Sequence, residues 1–246
     1  RARAGCSRVG GRLALEDGKS RWISVSDKHS PYGYISPQLR GQSGYTLDGR
    51  AEAVNVPDDA ASDAIAYDGR AVLDASGSAT AELSMTVSGG RASAFRQFLV
   101  PAAESKRVDL FEREVMSSTL GNCRVVGYKL ANLKNYDSPL TVRLSAKCTD
   151  MFTRAGDGVL LRALFPIDVA QLAALPEREA PYLRRQTFIG NIHYEVIVPE
   201  SLKMPASLPA VTMGQGLFKV DVRDRVEGHA IIIDRAVEMP IARIAP

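Results

Sequence analysis

Apolar and polar residues alternate most strictly over residues 78–88. Ala79, Ala81, Leu83, Met85 and Val87 take one parity, and Ser78, Thr80, Glu82, Ser84, Thr86 and Ser88 the other. Successive side chains of a strand point to opposite faces, so this period of two predicts a β-strand with one buried and one wet face. Asp74-Ala75-Ser76-Gly77 predicts the turn that joins it to a preceding strand at about 64–73. Gly89-Gly90 ends the strand and admits a helix, because glycine accepts the backbone angles of a sharp exit. The period then changes. Ala94, Phe95, Phe98 and Leu99 form one apolar stripe, and Val108, Phe111 and Val115 form another at spacings of three and four. With Pro101 at a helix start and Gly121 as a C-terminal cap, residues 91–120 read as a two-helix insert closing one end of a sandwich.

Alternation resumes beyond Gly121. Val126, Tyr128 and Leu130 mark one strand, and Leu140, Val142, Leu144, Ala146 and Cys148 the next, with a turn at Asn135 to Pro139. Residues 158–165 predict another strand, Pro166 to Leu175 a short helix or turn, and Pro176 to Arg185 a charged loop. Ile192, Tyr194, Val196 and Val198 then run against His193 and Glu195. A Pro-rich crossing at 199–209 leads to a closing hairpin with Glu227-Gly228 at its tip. Upstream, residues 11–25 predict a hairpin, with Asp17-Gly18 as the turn and Trp22-Ile23 on the return strand. Residues 42–62 are polar and rich in Gly, Asp and Ala, and read as a linker. Many short strands separated by Gly, Pro and Asp turns predict a mainly β chain. The expected architecture is an antiparallel β-sandwich over 63–246 with a small helical insert.

Composition narrows the function classes. In 246 residues, 45% apolar and 24% charged, the net charge is only +3 and opposite charges are interspersed. That reads as a solvated surface rather than a nucleic-acid footprint, so no nucleic-acid partner is expected. No apolar run approaches the ~18 residues that a membrane helix needs, so no transmembrane segment is expected. The chain starts at Arg1 without Met or signal peptide and reads as a piece of a longer protein. Its three cysteines fit no zinc spacing. Cys123 and Cys148 lie where either a disulfide across neighbouring strands or two buried thiols would fit.

Candidate chemistry is sparse. Cys148 with His193 or His229 is the sharpest nucleophile system to consider, but alternation puts Cys148 on an apolar face and His193 on a wet one, and burial disfavours a thiolate. His193 with Glu195, and Glu227 with His229, lack the further ligands a metal site takes. No acid pair stands out for glycoside hydrolysis, Glu177 and Glu179 sharing a loop. Gly10-Gly11 and Gly89-Gly90 lack the partners of a phosphate loop. No catalytic, cofactor or metal residue is therefore assigned, and no cofactor is expected. Trp22, Tyr32 and Tyr34 form the best aromatic cluster, read either as an interaction site or as pins holding a linker on a sheet.

The stretch Trp22–Gly41 resembles the end of the papain-like core in bacterial transglutaminase-like proteins, the multidomain kind with accessory β-sandwich domains of unknown function. The matching residues are Trp22-Ile23-Ser24-Val25, Pro31-Tyr32-Gly33 and Leu39-Arg40-Gly41. A looser match follows at Asp74, Gly77, Ser78 and Ala79, then Gly89, Ala92 and Arg96. The resemblance implies that residues 1–41 are the tail of that core, 42–62 a linker and 63–246 the C-terminal sandwich, in a protein that is periplasmic or otherwise exported. It also implies a Cys-His-Asp triad, yet the family's Asp falls on Ser24 and its His near Arg8, and its Cys would lie upstream of Arg1. Ser24 lacks the carboxylate that orients an imidazole. The expected function is thus a non-catalytic accessory or interaction region that takes a protein or peptide partner. The two alternatives are the end of an active cysteine acyl-transferase or peptidase with an upstream nucleophile, and a carbohydrate-binding sandwich.

Overall fold

The computed structural model of the chain describes residues 10–14, 20–24, 28–37, 39–46, 51–57, 63–155, 158–161, 182–184, 187–208, 210–215, 218–240 and 242–244. A hairpin of β1 (Gly10–Ala14) and β2 (Ser20–Ser24) comes first, then a shorter one of β3 (Ser43–Tyr45) and β4 (Ala53–Asn55). The stretch expected to be a linker therefore contains a hairpin of its own. Three-residue strands flanked by polar residues leave too little periodicity to be seen in sequence.

β5 (Ala64–Leu73) and β6 (Ala79–Val87) follow, joined by the turn at Asp74. The Asp74 carboxylate accepts the amides of Ser76 and Ser78, and Gly77 takes a φ of +90°. That conformation strains any residue with a Cβ. α1 (Gly89–Leu99) and α2 (Glu104–Phe111) come next, the latter running on through a π turn at Glu112–Met116 and a last turn at Ser117–Thr119. Gly121 closes this helix with φ +86°, its amide donating to the Met116 carbonyl.

Beyond lie β7 (Cys123–Ala131), β8 (Leu140–Cys148), β9 (Phe152–Ala155), β10 (Gly158–Leu161), β11 (Tyr182–Arg184), β12 (Phe188–Ile197), β13 (Val211–Gln215), β14 (Phe218–Val222), β15 (Arg225–Glu227), β16 (Ala230–Met239) and β17 (Ala242–Ile244). The expected helix or turn at 166–175 lies outside the described residues, as does most of the loop at 176–185.

Nine of these strands build one large sheet in the order β13-β14-β16-β12-β5-β6-β8-β7, with β15 paired to β16. The fold is thus mainly β and sandwich-like, with a small helical insert, as the alternation predicts. Pairing within this sheet is antiparallel except at its centre, where β12 and β5 run parallel. Alternation reports which face a residue takes but not strand direction, so that junction has no sequence signal.

One face of the sheet carries the core. Leu83, Met85 and Val87 of β6, Val142 and Leu144 of β8, and Ile192 and Val196 of β12 join Leu99, Phe111, Val115 and Met116 from the helices in a single buried cluster. The stripe on α1 is turned from its expected centre. Ala92, Ser93, Arg96 and Leu99 are buried, Phe95 and Phe98 are half-buried and Ala94 is exposed. A charge on the inward face, at i+4 from Ala92 and i−3 from Leu99, disguised the true stripe. Arg96 is fully buried, and its Nη2 donates to the carbonyls of Asn132, Asn135 and Ser138 at 2.7–3.0 Å. It therefore ties α1 to the β7–β8 loop.

Tyr194 lies across β5 onto Gly69, its neighbour in register. A Cβ at Gly69 would sit 2.5 Å from the Tyr194 ring. Burial raises the pKa of Tyr194, and pushes that of Tyr67 up to about 12 against the pull of Arg91, so both phenols stay protonated. Gly69→Ala should cost about 1–3 kcal/mol through overpacking. A thermal melt should show the loss, and Tyr194→Leu in the same chain should recover part of it. A Gly69→Ala protein as stable as its parent would sink this account.

Candidate functional site

Because the helices and the core fill one face of the sheet, the polar parity of β5, β6, β7, β8 and β12 is left on the other. Register aligns these side chains into rows across the strands. One row runs Asp234 (β16), His193 (β12), Asp68 (β5), Ser84 (β6), Arg143 (β8) and Lys129 (β7). A second runs Ile232, Glu195, Arg70, Glu82, Ser145 and Gly127, and a third Ala230, Ile197, Val72, Thr80, Lys147 and Arg124. Asp68, Arg70, Glu82, Arg124, Lys129, Arg143, Ser145, Lys147 and His193 are all exposed.

The two halves of this face differ in how their charges are spent. Over β12, β16 and the neighbouring β14 and β15, most charges pair with one another, and Arg70 of β5 joins them. His193 Nδ1 meets Asp234, Arg225 bridges Asp234 and Glu227, Arg223 meets Asp221, and Arg70 Nε lies 2.8 Å from Glu195. Burial alone would raise the Asp234 pKa, but hydrogen bonds from His193 and Arg225 bring it below the ordinary carboxylate value. Asp221 is likewise held low, first by its hydrogen bond from Arg223. A hollow of about 530 Å³ lies over this half, lined by Asp68, His193, Asp221, Arg223 and Asp234. Over β7 and β8 the outward charges are all cations: Arg124, Lys129, Arg143 and Lys147. None of the four has an ion-pair partner among the described residues. They also face each other directly, Arg124 opposite Lys147 and Lys129 opposite Arg143. Like charges opposite one another across a strand pair are destabilising. A second hollow, of about 610 Å³, lies beside them between Arg70, Ser84, Lys129, Arg143 and Ser145.

The residues singled out from sequence fall elsewhere. Tyr34 is only 5% exposed, and its hydroxyl donates to Asp63 at 3.0 Å. Tyr32 is 53% exposed beneath the Arg21 guanidinium, and its amide donates to Asp137. Trp22 is half-buried on β2. The three rings are thus not one surface, since Tyr34 faces inward and Tyr32 outward. Around Tyr34 a buried junction forms. Asp63 accepts from Tyr34, from Arg40 Nη1 at 2.8 Å and from the Gly90 amide at 2.7 Å, which fixes residues 34–40 to the start of α1.

His29 is 7% exposed, with its Nδ1 3.2 Å from the Tyr136 hydroxyl. An aromatic neighbour distant in the chain gave sequence no reason to bury it. Cys123 and Cys148, opposite each other on β7 and β8, form a disulfide. Cys148 therefore carries no thiol, and it lies on the core face whereas His193 lies on the open one, so the two do not come together. Cys6, Glu177, Glu179 and the hairpin turn at 15–19 lie outside the described residues. Among the described residues no group of His, Cys, Asp and Glu is arranged to hold a metal ion, and no helix is long and apolar enough to cross a membrane.

Sequence reading missed the rows themselves. Each strand shows its own wet parity, but joining Asp68 to His193 needs the parallel register of β5 and β12, and the dibasic pairs need the bulge between Val125 and Gly127. Compared with known proteins, the chain matches no family model, no curated protein and no solved structure.

Proposed function

We propose that this chain is a non-catalytic interaction domain that works through the open face of its sheet, the accessory part of an exported transglutaminase-like protein. The observation that carries the reading is the contrast between the two faces. One is filled by helices and core, while over β5, β6, β8 and β7 the other presents rows in which charged and hydroxyl side chains stand exposed or half-buried. The described cysteines support it, because a cystine offers no thiolate to attack an acyl group. The same cystine supports export, since disulfides persist in oxidising compartments. The parentage rests on the matches at Trp22–Gly41 and Asp74–Arg96. Several of those residues hold tight structural posts, among them Arg40, Asp74, Gly77, Gly89 and Arg96.

Covalent labelling of lysine and arginine, read by mass spectrometry, tests the reading. In extracts of its own cells the protein should show outward residues of the sheet shielded relative to the isolated chain, with Lys106 and Arg113 of the helical region labelled equally in both. Equal labelling of the sheet face would overturn the proposal. So would release of ammonia from a glutamine peptide by the isolated chain, if iodoacetamide abolished it.

A further inference from the structure

We infer that the β7–β8 half of the open face binds an acidic polypeptide segment in extended conformation. The inference rests on the interaction-domain reading and names the partner's chemistry. Arg124, Lys129, Arg143 and Lys147 are exposed, lack ion-pair partners among the described residues, and stand as two directly opposed like-charged pairs. Such pairs repel in the free protein and are relieved by a bound anion, so charge complementarity defines the occupant. Arg143 and Lys147 stand four positions apart on β8, which places the two dibasic rows about 13 Å apart. Carboxylates at positions i and i+4 of an extended peptide share a face and repeat at that same spacing, because strand side chains alternate.

Ser145 between the rows and Ser84 beside Arg143 border the hollow of about 610 Å³, and their hydroxyls supply donors and acceptors for a peptide backbone. Glu82 and Asp68 mark its far border, where a partner's acidic side chains are turned back. The outward positions of β5, β6, β7 and β8 carry no aromatic ring. Bases and sugars bind most readily on stacking platforms, and this face offers none. Val72 and Val126, the large apolar side chains exposed here, stand apart in the rows and bulge rather than as a patch for lipid.

The test is fluorescence anisotropy with a labelled decapeptide of alternating Glu and Thr, against the intact chain at low ionic strength. Saturable binding is expected, weakening as salt rises towards 0.5 M, where the screening length falls to a few ångströms. The exposed double variant Lys129→Glu/Arg143→Glu should raise Kd about tenfold or more, and the double variant Lys106→Glu/Arg113→Glu on the helical region should leave it unchanged. A Lys-Thr peptide should not bind. The inference is overturned if the Glu-Thr peptide fails to saturate, or if both variants bind alike. It is equally overturned if phosphatidylglycerol vesicles or heparin bind through Lys129 and Arg143 while the peptide does not. Shielding of the open face in cell extracts, together with failure of the peptide, would remove this inference and leave the interaction-domain reading standing.

Discussion

Replacing Asp63 with alanine should lower the stability of the chain by about 3–5 kcal/mol, the range found when one partner of a buried ion pair is removed. The Asp63 and Arg40 side chains are 5% and 0% exposed, so solvent screens little of their interaction. Asp63 also receives the Tyr34 hydroxyl and the Gly90 amide. In the variant the Arg40 guanidinium stays buried with only the Ile35 carbonyl as a near acceptor, and the start of α1 loses its side-chain partner. A loss of that size corresponds to roughly 6–20 °C in Tm for a domain of this size. Tyr34→Phe deletes one hydroxyl and leaves Asp63 its two other donors, so it should cost only about 1 kcal/mol. Gly90→Ala should behave more like Asp63→Ala, because a Cβ there would lie 2.1 Å from the Tyr34 hydroxyl.

The double variant Asp63→Ala/Arg40→Met separates the charge effect from packing. If the stranded cation dominates, the second substitution recovers part of the loss, and the two changes are non-additive. Purely additive losses would mean that packing, not the ion pair, holds the junction. An Asp63→Ala chain that melts within a degree or two of the parent would show that the junction is open to water in solution. The consequence for organisation is direct. His29, Tyr32 and Tyr34, in the stretch that the resemblance would group with an upstream core, are fastened to the sheet by Tyr136, Asp137 and Asp63, and should unfold together with it.

What could be read from sequence divides along the range of the forces involved. β6 was legible because burial of Ala79, Leu83 and Met85 depends only on side-chain parity within one strand. The turn at Gly77 and the cap at Gly121 were legible for a similar reason, since positive φ is a local demand. The junction of Tyr34, Arg40 and Asp63 was not, because each residue alone looks like ordinary surface and burial follows only from their meeting. Arg96 misled in the opposite direction, its charge hiding the buried face of α1. The open face lies between these cases. Its polar positions were plain on every strand, but which cation faces which is decided by register and by the order β6-β8-β7, where β8 inserts between strands that precede it in sequence.

The disulfide should contribute the other large effect. Cys123 and Cys148, 25 positions apart, close a loop that holds β7, the connection at 132–139 and β8. The chain-entropy relation gives about 3–4 kcal/mol for a loop of that length, or roughly 6–16 °C in Tm. Calorimetry with and without a phosphine reductant should show that drop, with thiol titration confirming complete reduction, and a Cys123→Ala/Cys148→Ala chain should melt near the reduced form. An unchanged Tm in fully reduced protein would refute the role assigned to the bond. The position of the bond gives it a second task. β7 is an edge strand, and the next pair along from the cystine is Arg124 opposite Lys147, so the covalent link holds the edge where the charges push it apart. Reduction should therefore loosen β7 first, seen as faster amide exchange at residues 123–126 than at β6, and should weaken binding of the Glu-Thr peptide while the Asp63 junction stays intact. Peptide affinity that survived full reduction and fraying of β7 would place the acidic segment on β8 alone, at Arg143 and Lys147.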